Sequence, residues 1–350
     1  MTEALNVTLV QNTYDSNASA SVFGWEFQTN AAIFLAFQYI KDFTEIKIEG
    51  QIDDVEIYFK EMDPIFIQVK SQENPEPSSN TLKHFKNGIK TLINASEKSL
   101  HSELIYLSNI NNPLSNKSVA MYFNSLSQYS YNELPLVVKT LIDKQIQAVV
   151  SKESLSRPNF QTDKLSNITI PYFGNHLPTR YRCITEKINN FLSKLDMNTY
   201  IGEDLLCYLQ KQFFTNATTK NVKLKKEDIV WPIVVLGSLK LSETRLDEFD
   251  DGFADEIKSK YHEYINKQSH KFGLITKVMN EFYNYRKNEG HIKRSTKVLL
   301  EQFINDSWLK FTEEINCENK EIEECLVKTI IELIIIDRFK IEKLKGATNL

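Results

Sequence analysis

The chain has 350 residues and a hydrophobic fraction of 41%, enough to fill one large core or two modest ones. Its formal net charge of -4 excludes a global positive field, so any polyanion has to be held by local basic clusters or through a metal ion. The four cysteines form no CxxC pair, and no secretion signal or membrane-length apolar run is present, which predicts a cytoplasmic protein without membrane contact.

The first half of the sequence predicts a helix followed by three strands. In GWEFQTNAAIFLAFQYIKDF, apolar residues recur at three- and four-residue spacing, the pattern of an amphipathic helix. The segments TEIKIEG, DDVEIYFK and IFIQVKS are short and β-rich, and they predict a meander. A loop, QENPEPSSN, then precedes a helix, TLKHFKNGIKTLINASEKS, and a strand, ELIYLSN. The alternation predicts an α/β arrangement around a mixed sheet.

From about Asn132 onward the pattern is mostly helical, with NITIPYF at 167–173 as a later strand. An apolar stretch after KLKK is interrupted by Pro232 and Gly237, and CLVKTIIELIIIDRF is apolar around most of its circumference. The latter is either a buried core helix or an interface with another subunit, and we expect a contribution to assembly. We predict one domain at 1–240 and an all-helical C-terminal region at 241–350.

Polar residues are set into two of the predicted strands. Since residues two apart share a face of a strand, Gln68 and Lys70 lie on the same face, opposite Ile67 and Val69. If the second and third strands pair as a hairpin, Asp54 at the start of one lies near Lys70 at the end of the other. A carboxylate, an amide oxygen and an ammonium group are therefore expected to converge at one edge of the sheet.

This combination suits phosphodiester hydrolysis. Mg²⁺ is bound through oxygen and needs only one or two protein carboxylates in addition to substrate phosphate. A bound cation activates water, and a nearby lysine stabilises the negative charge that develops on the phosphate. The sequence therefore indicates a compact, metal-dependent nuclease site.

The segments GWEFQ, IEGQIDDVEI and IFIQVKSQ resemble the PD-(D/E)xK restriction-endonuclease-like superfamily, in the variant where glutamine replaces the second acid, as in Mrr-type nucleases. More closely, they resemble the N-terminal endonuclease domain of anti-phage effectors, found in CD-NTase-associated nucleases and in the nuclease subunit of Lamassu systems. The resemblance covers roughly residues 23–73. It implies a catalytic set of Asp54, Gln68, Lys70 and Glu49, with Gln28 and Asp53 in support. It also implies that Mg²⁺ or Mn²⁺ is held by Asp54, Glu49 and the backbone carbonyl of Val69.

The resemblance further implies a restriction-endonuclease-like mixed sheet flanked by helices, and metal-dependent cleavage of double-stranded DNA in bacterial anti-phage defence. The helical C-terminal region does not match the α/β sensor of the CD-NTase effectors. It fits better with the Lamassu arrangement, in which the nuclease docks on an SMC-like ATPase and a small accessory subunit. Because cutting both strands needs two active sites, an active homo-oligomer is expected.

Several alternatives remain open at this point. Taken singly, Lys70 is also consistent with an exposed strand end, and Asp53 and Asp54 with a turn. Two other functions remain open for the whole chain. One is a non-catalytic scaffold subunit that keeps the nuclease fold, and the other is a nuclease that acts on RNA or branched DNA. Basic residues that are either phosphate contacts or solvated surface are Arg180, Arg182, Lys223, Lys225, Lys226, Arg286, Lys287, Lys293 and Arg294.

Overall fold

The computed structural model describes residues 19–74, 76–99, 101–153, 160–237, 255–257, 271–289, 295–315, 317 and 319–350. The strands are Phe43–Ile48 (β1), Val55–Phe59 (β2), Ile65–Lys70 (β3), Glu103–Ser108 (β4), Ser127–Ser130 (β5), Leu165–Thr169 (β6) and Leu224–Lys225 (β7). The longer helices of the first 237 residues are Ser19–Gln38 (α1), Thr81–Ser96 (α2), Leu136–Glu153 (α3), Leu177–Lys194 (α4), Gly202–Thr218 (α5) and Lys226–Gly237 (α6). The helices described after residue 270 are Lys271–Glu289 (α7), Thr296–Ser307 (α8), Thr312–Ile315 (α9), Glu323–Ile336 (α10) and Arg338–Thr348 (α11).

The strands form one mixed sheet in the order β5-β6-β4-β3-β2-β1-β7. β1, β2 and β3 pair antiparallel, which confirms the predicted meander, whereas β3, β4 and β6 are parallel. The later predicted strand, NITIPYF, is present but lies earlier, at Leu165–Thr169. The sequence reading missed β7, a two-residue strand that pairs with β1 in a part of the chain predicted to be helical. A strand of that length has too few residues to show alternation.

Helices cover both faces of the sheet. The first layer contains α1, which is buried from Phe27 to Phe37 without a break, unlike the one-sided helix that the sequence predicted. It is enclosed because α4 and α5 pack on the side of α1 that the sheet leaves open. The second layer contains α2 and α3, and it covers the opposite face of the sheet at Phe66 and Tyr106. β3 is therefore buried on both faces, with Ile65 and Ile67 directed into the first layer.

Pro232 lies inside α6 instead of interrupting it as predicted. A proline has no N–H, so the carbonyl four residues earlier loses its helical donor. That carbonyl belongs to Asp228, and it accepts a hydrogen bond from Gln212 Nε2 of α5 at 3.1 Å. A side chain from the neighbouring helix thus replaces the missing backbone donor, and the helix continues.

The apolar segment CLVKTIIELIIIDRF covers most of α10 and the start of α11. Its apolar side chains up to Ile335 are buried in the core of the chain itself, whereas Ile336 and Phe339 are exposed. This is the first of the two alternatives drawn from the sequence. Ile334 and Ile335 are only 5% and 1% exposed. A charged residue at either position would therefore destabilise the fold, and its effect on partner binding could not be read separately. The same buried cluster includes α1 and continues into α10 and α11. The predicted boundary at residue 240 lies outside the described residues.

The part of the chain that the structure describes contains no helix that is both long enough and apolar enough to span a membrane.

Candidate active site

Three chain segments carrying the predicted site meet at one edge of the sheet. β2 runs antiparallel to β1 and β3, so its first residues lie beside the last residues of both neighbours. Asp54 immediately precedes β2, Glu49 immediately follows β1, and Lys70 ends β3. The register that pairs Val55 with Ile67 places Asp54 beside the end of β3.

Asp54 is the centre of the contacts at this edge. Its Oδ2 lies 3.9 Å from Lys70 Nζ, and both side chains are about one-quarter exposed. The same oxygen accepts a hydrogen bond from the Val69 backbone N–H at 2.9 Å. It also accepts one from the side-chain amide of Gln68, which is buried. The structure thus brings together Asp54, Gln68 and Lys70, as the hairpin argument predicted, but Gln68 presents its amide nitrogen and not the expected amide oxygen.

Gln28 connects α1 to this site. Its Nε2 donates to Glu49 Oε1 at 2.9 Å and to the backbone oxygen of Asp54 at 3.0 Å. One amide group therefore fixes both the predicted second carboxylate and the start of β2. Glu26, two residues earlier on α1, instead accepts hydrogen bonds from Arg180 at 2.7 Å and from the hydroxyl of Tyr181.

The turn between β1 and β2 is hydrogen-bonded to the side chain of Glu56, which is 2% exposed. Its Oε1 accepts from the N–H groups of Ile52 at 2.6 Å and Asp53 at 3.3 Å. A Cβ on Gly50 would lie 2.1 Å from the carboxyl carbon of Glu56, so a larger residue there would displace this carboxylate from its hydrogen bonds to the turn. Sequence reasoning missed this role. The available signal was a charged residue set into an apolar strand on the same face as Asp54.

Asp53 and Asp54 occupy a low-dielectric environment. Burial raises the pKa of Asp53 to about 8, although the backbone N–H of Asp54 donates to its Oδ1 at 2.9 Å. Burial also raises the pKa of Asp54, and Lys70 and the Val69 N–H oppose that rise. The negative charge of Glu49 raises the Asp54 pKa further.

The donor set fits a hard divalent cation. Asp53 Oδ2 is buried and accepts no hydrogen bond from the described residues. Asp54 Oδ1 and Glu49 Oε2 likewise have no hydrogen-bond donor among them. Mg²⁺ needs only one or two protein carboxylates. No group of three or more His, Cys, Asp and Glu side chains suited to a metal occurs in the described ranges. The predicted contact of the Val69 carbonyl stays a prediction.

Gln68 is held in place by the close approach of α2. A Cβ on Gly88 would lie 2.6 Å from the ring of Tyr106 and 3.4 Å from Gln68 Cγ. Tyr106 pairs with Gln68 across the parallel strands β3 and β4. Glycine at position 88 therefore allows the helix to cover the amide-bearing side chain and to exclude water from it.

A buried asparagine fixes the chain just beyond Lys70. Asn109 is fully buried, and its Oδ1 accepts from the Gln72 N–H at 2.9 Å. Its Nδ2 donates to the backbone oxygens of Gln72 at 2.8 Å and Tyr172 at 3.1 Å. One side chain thus ties together the segments that follow β3, β4 and β6. The sequence reading ended the predicted strand at this residue and gave it no role.

The basic residues considered as phosphate contacts differ in their exposure and in their partners. Lys226 is buried and donates to two backbone carbonyls, those of Lys41 and Thr348, so its candidacy as a phosphate contact is wrong. Arg180 is likewise committed to Glu26. The remaining described candidates are at least partly exposed: Arg182, Lys223, Lys225, Arg286 and Lys287. Lys293 and Arg294 lie outside the described residues.

A comparison of the chain with models of known protein families, with curated proteins and with solved structures found no match.

Proposed function

We propose that the chain is a metal-dependent endonuclease that hydrolyses phosphodiester bonds in double-stranded DNA. The observation that carries this proposal is the convergence of Gln68, the Val69 N–H and Lys70 on one oxygen of Asp54. Glu49 lies beside this centre, and Gln28 fixes its position. This arrangement supports the resemblance of the three motifs to PD-(D/E)xK nucleases, with each motif residue at the same edge of the sheet.

Each side chain has a distinct proposed role. Asp54 and Glu49 hold Mg²⁺ or Mn²⁺ through their open carboxylate oxygens. When bound, the cation supplies an activated water and neutralises charge on the phosphate. Lys70 stabilises the negative charge that develops on the phosphate oxygens, and its ion pair with Asp54 at 3.9 Å keeps its ammonium group in position. Gln68 holds Asp54 by donating its amide N–H to Oδ2, and its amide oxygen would be a further oxygen ligand available to the cation.

The biological setting is proposed from the motif resemblance. We propose a bacterial anti-phage effector of the Lamassu type, restrained until it assembles. Its partners would be an SMC-like ATPase, a small accessory subunit and further copies of the same chain. Two active sites acting together would cut both strands of a duplex.

The test is cleavage of plasmid and linear double-stranded DNA by the purified protein with Mg²⁺ or Mn²⁺, across protein concentrations. Asp54→Ala and Lys70→Ala are each expected to reduce the rate by at least about 100-fold, the loss typical for removing a charge-stabilising group. Lys144→Ala is the matched control, because Lys144 is exposed on α3 in the second helical layer. Cleavage that persists in both site variants, or that falls equally in the control, would reject this site.

One observation favours a second candidate, a non-catalytic scaffold that retains the nuclease frame. Gln68 is neutral where the commoner superfamily pattern has an acid, and its amide is committed to Asp54. The scaffold reading expects no cutting of double-stranded DNA, single-stranded DNA, tRNA or Holliday junctions, even with co-encoded partners added. Cutting of RNA or junctions alone would keep the chemistry and change the substrate.

A further inference from the structure

A cavity of about 570 Å³ opens directly beside Glu49. Its walls come from the β1–β2 turn and from the loop between α5 and β7. Three lysines line it, Lys47, Lys220 and Lys223. Because Glu49 lines the same cavity, the lysines are continuous with the candidate active site.

Hydrogen bonds connect the end of α5 and the loop after it to β1 and to the β1–β2 turn. Lys47 Nζ donates to the backbone oxygens of Asn216 at 2.6 Å and Thr219 at 2.8 Å, at the C-terminal end of α5. Asn216 Oδ1 in turn accepts from the Ile48 N–H at 3.1 Å. At the rim, Gln51 Nε2 donates to Asn221 Oδ1 at 3.0 Å. These contacts set the position of the loop relative to Glu49 before any ligand arrives.

Two lysines on this loop have ammonium groups within reach of a ligand. Lys220 is exposed, and its ammonium makes no hydrogen bond or ion pair with the described residues. Lys223 lies 3.3 Å above the ring of Tyr58 and 3.4 Å from Glu45, and 37% of its side chain is exposed. Glu56 also lines this cavity, and Glu45 is the partner of Lys223. A cation bound at Asp54 and Glu49 would neutralise Glu49, so that the three lysines would face only Glu45 and Glu56 and the cavity would carry an excess of one positive charge.

The cavity that α1 forms with Glu73, in the segment after β3, has the opposite character. It has a volume of about 720 Å³ and is lined by the first turns of α1 and by Glu73. Glu26 in this cavity is paired with Arg180, whereas Glu73 is held by the neutral hydroxyl of Ser19 at 2.9 Å. A phosphate is therefore repelled on the α1 side and attracted on the lysine side.

We infer that the nucleic-acid strand leaves the cleavage site across the β1–β2 turn, with Lys220 and Lys223 contacting backbone phosphates next to the one that is cut. This inference rests on the proposed function for the position of the cut, but the contact itself is measurable by binding alone. The ligand recognised is the phosphodiester backbone, without regard to base sequence.

The experiment measures binding of a short DNA duplex in Mg²⁺ at several salt concentrations, on a Lys70→Ala background so that cutting does not interfere. Loss of two phosphate contacts in Lys220→Glu/Lys223→Glu is expected to reduce the slope of log Kobs against log salt by about 1.8. Extrapolated from 1 M, where this contribution vanishes, the same slope corresponds to about 60-fold weaker binding at 0.1 M salt.

Lys144→Glu/Lys152→Glu is the matched control, since it makes the same charge change on exposed positions of α3. It should leave the slope unchanged, and Glu73→Lys should change affinity less than threefold. An unchanged slope in the Lys220/Lys223 variant, an equal loss in the control, or no binding at all would overturn the inference. Wild-type cleavage is assayed separately. If the protein binds DNA through the two lysines but never cuts it, the inferred phosphate contact stands and the proposed nuclease activity is wrong.

Discussion

Replacing Asn109 with alanine tests whether the clamp behind the candidate site stabilises the fold. The change removes three hydrogen bonds, two to the backbone of Gln72 and one to the oxygen of Tyr172. Because Asn109 is fully buried, the three backbone groups are left without partners. At about 1 kcal/mol for each neutral hydrogen bond, the free energy of unfolding should fall by about 3 kcal/mol.

Urea unfolding followed by far-UV circular dichroism measures this difference, with the m-value checked for a change in cooperativity. Asn124→Ala is the control, because Asn124 is exposed and its replacement should cost less than about 0.5 kcal/mol. Asn109→Asp keeps the acceptor for the Gln72 N–H but places a carboxylate oxygen against two carbonyl oxygens, so it should be at least as destabilising as alanine. A loss below about 1 kcal/mol in Asn109→Ala would refute the clamp.

Three further predictions concern the same edge of the sheet. Gly88→Ala should lower the free energy of unfolding in urea by about 1–2 kcal/mol. The Cβ would lie 2.6 Å from the buried Tyr106 ring, and this clash costs more than the higher helix propensity of alanine contributes. A variant more stable than the wild type would contradict this packing. Glu56→Gln should cost about 2–3 kcal/mol by weakening charge-assisted bonds to the turn, and an unchanged midpoint would count against its structural role. Mg²⁺ at one hundred times its Kd should stabilise the wild type by about 2.7 kcal/mol and leave Asp54→Ala unaffected, whereas equal stabilisation of both would place the ion elsewhere.

The sequence predicted the strands of the site better than the contacts that support them. Alternation in two short segments, with a hairpin between them, was enough to place Asp54 beside Gln68 and Lys70. The clamp at Asn109 joins backbone groups 37 and 63 residues away, and no local pattern records such a distance.

The docking of α5 against β1 was also beyond a local reading. It depends on Lys47, which alternation alone would place in solvent but which is 5% exposed. Its ammonium satisfies carbonyls at the end of a helix 169 residues later in the chain. Local periodicity thus predicts elements and their faces, whereas long-range polar contacts emerge only from the packed fold.

Gln68→Glu tests why this site has an amide where the commoner pattern has an acid. Gln68 is 2% exposed and in direct contact with Asp54, so a second carboxylate there faces a like charge in a dry environment. Two such charges about 4 Å apart repel by about 4 kcal/mol at an effective dielectric constant of about 20, and proton uptake limits the loss.

Without metal, Gln68→Glu should therefore be less stable than the wild type in urea, and it should gain more stability than the wild type when Mg²⁺ is added. If the variant instead has the same stability as the wild type with and without Mg²⁺, then position 68 does not face the cation. The cation would then have to be bound by residues of the β1–β2 turn alone. The expected result would mean that the native amide trades metal affinity for a stable metal-free protein. Such a balance is expected of the proposed nuclease, which would have to stay folded and inactive until it is activated.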